Sequence, residues 1–143
     1  MNRFHVAIHA APETAVVRQQ CDLAGRPAST LTLRPEQLTR SIPVSFEAAL
    51  AALERLPRMF IEPDGSFVWV AERDEPAWQL DGVLFDRAGE LVYVELKGNC
   101  PAARFDEFLT TLGWPHVAFV FQLAREAVFM DEVEFRRWTE SPE

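Results

Sequence analysis

Residues 78–86 and 90–97 are two runs rich in branched and aromatic residues, separated only by Arg87-Ala88-Gly89, and they constrain this chain more than any other feature. Runs of that kind around a glycine-containing break pair as an antiparallel hairpin. A three-residue loop with Gly at the left-handed position, a type I turn followed by a bulge, is a favoured connection. It places Asp86 across from Glu90 and therefore Asp81 across from Glu95. A two-residue loop would slide the pairing by one residue and send Asp81 to the other face from Glu95, because strand side chains alternate.

The rest of the chain supplies elements around this hairpin. Residues 4–8 alternate apolar and polar like a half-buried strand. His5 and His9 share one face of it at about 13 Å, too far apart to bind one metal ion. Between Pro12 and Pro43 the pattern is weak: an extended piece over 15–21, a turn at Gly25-Arg26-Pro27 and a strand-like piece over 29–33 suggest a hairpin with a trailing loop. Ser45 is placed to cap a helix whose apolar positions are Phe46, Ala49, Leu50, Leu53 and Leu56, and Pro57 stops it. Residues 60–61 and 66–71 flank the turn signal Pro63-Asp64-Gly65 and read as a second hairpin.

Pro101 suits a first helical position, and Phe105, Phe108, Leu109 and Leu112 form an apolar stripe ending at Gly113. Residues 117–123 are a continuous apolar run suited to an inner strand. Residues 126–130 read as a short edge strand, and Asp131 caps a final helix through Trp138, with a solvated tail beyond. The predicted fold is α+β with an α/β-like core. One domain holds a central mixed sheet of about five to seven strands flanked by two to three helices, with a helix-strand-strand-strand-helix-strand core over 44–123. Residues 1–43 form an amino-terminal strand and hairpin extension, and 124–143 add a strand and a helix.

Composition bounds the function. The 143 residues suit one domain, and 48% hydrophobic content with eleven Phe and four Trp gives ample core. A net charge of −8 repels phosphate backbones and disfavours broad nucleic-acid binding. Local patches from Arg34 and Arg40, or from Arg104, Arg136 and Arg137, would have to converge to offset it. Cys21 and Cys100 show neither zinc nor disulfide spacing. No run approaches the roughly 18 apolar residues of a membrane span, so a cytoplasmic protein is expected. The four Trp read as core or boundary packing, and His116 as a structural residue at a strand start, beside Lys97 only if that strand runs parallel to residues 90–97.

The cations are thirteen arginines and a single lysine, Lys97, in the run Glu95-Leu96-Lys97. An ammonium on a flexible stem loses its proton on desolvation far more readily than guanidinium does. On the hairpin register Asp81 and Glu95 stand directly opposed, and two such carboxylates repel unless a cation intervenes. Mg²⁺ or Mn²⁺ would neutralise them, with the Leu96 carbonyl completing a partial oxygen shell and Lys97 beside a metal-bound water.

The order helix, strand, strand with Asp81-Gly82, strand with Glu95-Leu96-Lys97, helix, strand resembles the core of the PD-(D/E)XK nuclease superfamily, over roughly residues 45–123. That resemblance implies metal binding by Asp81 and Glu95, water activation assisted by Lys97, and a further acid on the first helix, for which Glu47 and Glu54 are the candidates. Leu80 stands where the full motif has proline, so only the short form is present. Two readings follow: a metal-dependent nuclease hydrolysing phosphodiesters, or a noncatalytic α+β domain that binds a protein partner or dimerises. The second would use the sheet edge near residues 4–8 or a patch containing Trp114 and Phe129. A small-ligand pocket over the sheet face near Tyr93 is a third reading.

Overall fold

The computed structural model describes residues 1–140. Its strands are β1 (Phe4–Ala10), β2 (Val17–Leu23), β3 (Arg26–Thr32), β4 (Ile42–Ser45) and β5 (Met59–Ile61), then β6 (Ser66–Val70), β7 (Gln79–Arg87), β8 (Glu90–Asn99), β9 (Phe119–Leu123) and β10 (Val128–Asp131). Helices α1 (Phe46–Glu54), α2 (Ala102–Thr111) and α3 (Glu132–Glu140) follow β4, β8 and β10. All ten strands join one sheet of order β2-β3-β10-β9-β1-β8-β7-β6-β5, and β4 pairs with the start of β8 beyond the end of β1.

Every pairing in that sheet is antiparallel. The expected α+β fold with a mixed sheet of five to seven strands is therefore wrong: this is a β-rich fold with three short helices. The cause lies in one strand. Helix α2 carries the chain from β8 to β9 in the same direction, as a parallel crossover would, but β1 inserts between them and bonds antiparallel to both. Residues 4–8 are thus at the centre of the sheet and offer no edge. Residues 17–32 enlarge the same sheet, because β3 pairs with β10, and β10 is an interior strand instead of the expected edge.

The helices cover one face only. Alternation in β1 sends Phe4, Val6, Ile8 and Ala10 to that side, where they meet Leu80, Leu84, Val94, Leu96 and Phe121 from neighbouring strands. Phe105, Phe108 and Leu109 of α2 and Phe135 of α3 complete the core. Rings pack specifically: Phe121 and Phe135 are stacked at 4.6 Å, and Phe4 meets Phe135 edge-on at 5.3 Å. Each such fully buried side chain contributes roughly 1.5–3 kcal/mol. Gly82 is required here, because a Cβ at that position would lie 2.2 Å from the Phe67 ring that crosses β7.

Local signals fixed the helix starts. Ser45 Oγ accepts the Ala48 N–H at 3.0 Å, and Asp131 Oδ1 accepts the Glu134 N–H at 2.9 Å. Pro101 is the cap residue of α2, one position outside its expected place. The final helix runs on through Glu140, and the tail over 141–143 lies outside the described residues.

Candidate functional site

The β7–β8 connection differs from the three-residue loop. Arg87 pairs with Glu90 around a two-residue turn in which Ala88 has φ +53° and Gly89 φ +84°, the pattern of a type I′ turn. Alone, this would have separated Asp81 and Glu95 onto opposite faces. A bulge then leaves Val92 without a partner: Asp86 pairs with Leu91, but Phe85 pairs with Tyr93. Asp81 and Glu95 consequently share a face again, slid past each other by one pair, with Lys97 across from Asp81 and Val83 across from Glu95.

Asp81, Glu95 and Lys97 all stand on the face that carries no helix, since their strand neighbours Leu80, Val94 and Leu96 are buried in the core. On this face the carboxylates have protein partners. Asp81 Oδ1 accepts from Gln79 Nε2 at 2.8 Å and stands across the pair from Lys97, while Glu95 Oε1 lies 3.1 Å from His5 Nε2. The direct opposition that called for a divalent ion is absent. Other members of the expected set lie elsewhere. Glu47 and Glu54 sit on α1, behind the sheet, and the Leu96 carbonyl is enclosed in a ladder paired on both edges of β8. Among the described residues no group of three or more His, Cys, Asp or Glu is placed to hold a metal ion.

Beside the acids, the open face carries a run of rings. Phe85 stacks on Tyr93 at 4.4 Å, Tyr93 on His9 at 5.2 Å, and His9 approaches Phe129 at 6.1 Å. His9 Nε2 is 3.1 Å from Gln122 Oε1, and burial holds its imidazole below the ordinary value despite that bond.

At the Lys97 end of the sheet a cleft of about 400 Å³ opens between the start of β1, the β2–β3 and β9–β10 turns and the end of α3. Arg3, Arg26, Lys97 and Arg125 line it together with His5, and among the described residues Glu126 is the one carboxylate lining it. The chain holds 22 acids and 14 basic residues overall, so this lining inverts the local balance. Among the described residues Arg3, Lys97 and Arg125 form no ion pair. Arg26 is held by the protein itself: its Cζ lies 3.6 Å from the centroid of a Trp138 ring, and Nη2 donates to the Trp138 carbonyl at 3.0 Å. Gly98 keeps Lys97 at the rim, since its φ is +131° and a Cβ there would stand 2.1 Å from the Gln79 carbonyl oxygen.

The sequence singled out only Lys97 and His5 of these groups. Arg3, Arg26, Arg125 and Trp138 come from four separate segments, and no spacing rule links them. The arginines it did group are engaged elsewhere. Arg104 pairs with Glu72, Glu75 and Glu107, Arg136 with Asp106 and Glu132, and Arg137 with Glu134. Arg34 and Arg40 pair with Glu36 and Glu13. Exposed His116 precedes β9, whose far end and not its start lies toward His5 and Lys97. Burial pushes the Cys100 thiol up to about 12, which leaves it inert. Among the described residues no helix is long and apolar enough to cross a membrane. No family model, curated protein or solved structure matches the chain.

Proposed function

We propose that this protein is a binding domain for a compact anionic ligand bearing phosphate groups, held in the cleft between β1, β8 and α3. One observation carries the reading: four cationic side chains and a histidine converge on one cavity of a chain whose net charge is −8. Uncommitted guanidinium and ammonium groups make charge-assisted bonds to phosphate oxygens, and Arg does so with two parallel donors. A volume of about 400 Å³ suits a small molecule and falls within the usual range of ligand pockets. Phe4, Leu123 and Trp138 offer apolar surface to whatever carries the anion. Cys21 and Cys100 are free thiols, which is compatible with action in the cytoplasm.

Calorimetric titration with inorganic pyrophosphate and with a nucleoside diphosphate tests this. Saturable binding is expected, weakened about tenfold or more by Lys97→Ala and by Arg125→Ala, since a charged hydrogen bond contributes roughly 1.5–3 kcal/mol. Unsaturable heats with both probes would remove the proposal.

A second reading, metal-dependent phosphodiester hydrolysis, is favoured by the position of Lys97, which belongs both to the cleft and to the face bearing Asp81 and Glu95. The two carboxylates are oxygen donors of the kind Mg²⁺ and Mn²⁺ prefer, though His5 would have to release Glu95. Saturable Mn²⁺ binding abolished by Asp81→Asn is the expected result. Heats unchanged by that substitution would end this reading and leave the first untouched.

A further inference from the structure

The two edges of the sheet are unequal. On one side β5 has three residues, with Pro57 and Pro63 close by, a short edge of the kind that resists pairing. On the other, β2 runs for seven residues in unbroken register with β3, without proline, lysine or bulge, and is largely exposed. The direction of its free backbone groups follows from the turn. Leu23 and Arg26 flank the two residues Ala24 and Gly25 and so form a bonded pair, which makes Cys21, Gln19 and Val17 the other positions bonded to β3. Pro27, which has no N–H, sits across from Asp22 in a non-bonded pair, as this phase demands. Arg18, Gln20 and Asp22 therefore turn their N–H and C=O groups to the open edge.

That edge is complementary to itself. We infer that β2 is a homodimer seam, pairing antiparallel with β2 of a second copy about a twofold axis through Gln20. Centred there, the bonded pairs are Gln20 with Gln20 and Arg18 with Asp22 in both directions, each exchanging two hydrogen bonds. Opposite charges meet twice, and Val17 meets Leu23 twice. Arg18 already contacts Asp131 through Nη1 at 2.6 Å, which leaves the rest of its fork for the second copy. Asp22 spends Oδ1 on the Gly25 N–H at 2.9 Å and keeps Oδ2. A shift that centred the axis on Cys21 would set Arg18 against Ala24 and Asp22 against Gln20, losing both charge pairs. In the Gln20-centred dimer the sheets continue into each other with all helices on one side.

Sedimentation of the full chain over a range of concentrations tests the inference. The wild type is expected to form a concentration-dependent dimer. Gln20→Pro removes an outward donor without touching a β3 bond, so it is expected to be monomeric, with the melting transition that the wild type shows at concentrations too low for it to dimerise. Asp22→Arg is expected to abolish the dimer by opposing two arginines, and Arg18→Asp/Asp22→Arg to restore it, which keeps the test decisive if the proline variant fails to fold. Gln19→Cys stands across from Cys21 of the second copy and is expected to form a disulfide-linked dimer under mild oxidation, unlike the wild type with Cys21 alone. A wild-type monomer at every concentration, a dimer that survives Asp22→Arg, or efficient linkage through Cys21 in the wild type would each overturn it.

Discussion

His9 shows how a single residue reports its surroundings. Its ring lies between Tyr93 and Phe129 on the sheet face, and desolvation there outweighs the bond to Gln122, so its pKa is lowered. The folded state then binds fewer protons than the unfolded chain once pH falls below the unfolded value of about 6.5. The contribution is fully present above that value and is lost as pH falls through the folded pKa. Urea midpoints are therefore expected to drop as pH falls below about 6.5, and to drop less in His9→Phe, which retains a ring against Tyr93. Equal slopes in the two proteins would show that His9 does not carry the effect. Lys97 teaches the opposite lesson: its identity as the sole lysine drew attention to it, but its neighbours were misjudged. Asp81 faces it across the pair, and Glu95 belongs to His5.

At the level of elements, the bulge at Val92 decides the site. The type I′ turn reverses the facing of every β8 residue relative to a three-residue loop, and the unpaired Val92 reverses it again. Neither step has a strong sequence signature, because Ala88-Gly89 fits both turn types. Helix α3 is tied to its strand by Glu134, a residue only 8% exposed that accepts the Ser29 N–H at 2.5 Å and Arg137 Nε at 2.6 Å. Arg137 chiefly, with Ser29 assisting, holds the Glu134 carboxyl below the usual range. Glu134→Ala strands the Ser29 donor, so a loss of about 1–3 kcal/mol in denaturant unfolding is expected. Because the folded pKa is depressed, this difference from wild type should shrink as pH falls below about 4.3, the unfolded value, and through the folded one. A pH-independent difference would mean that the charge is irrelevant to the docking of α3.

For the whole molecule, net charge described the average and concealed the exception. An acidic chain repels phosphate at long range, yet β1, two turns and α3 bring Arg3, Arg26, Lys97 and Arg125 to one cavity. Burial of one face and exposure of the other follow from placing all helices on the same side. This leaves the ring series and the two acids on the helix-free face, while the cleft opens at the end of the sheet beside α3.

The sequence by itself determined the elements: the alternation of residues 4–8, the caps at Ser45 and Asp131, the stripe of α2, and hairpins at 17–32, 59–70 and 79–99 all arise from contacts within a few residues of each other. Only the tertiary structure decided that β1 lies between β8 and β9, that the sheet is antiparallel throughout, and that arginines from distant segments meet at Lys97. Strand order depends on backbone bonds between segments up to about a hundred residues apart, and those bonds are chemically the same whichever strand supplies them. Local pattern therefore names the strands and leaves their neighbours to be chosen by the packing of the whole core.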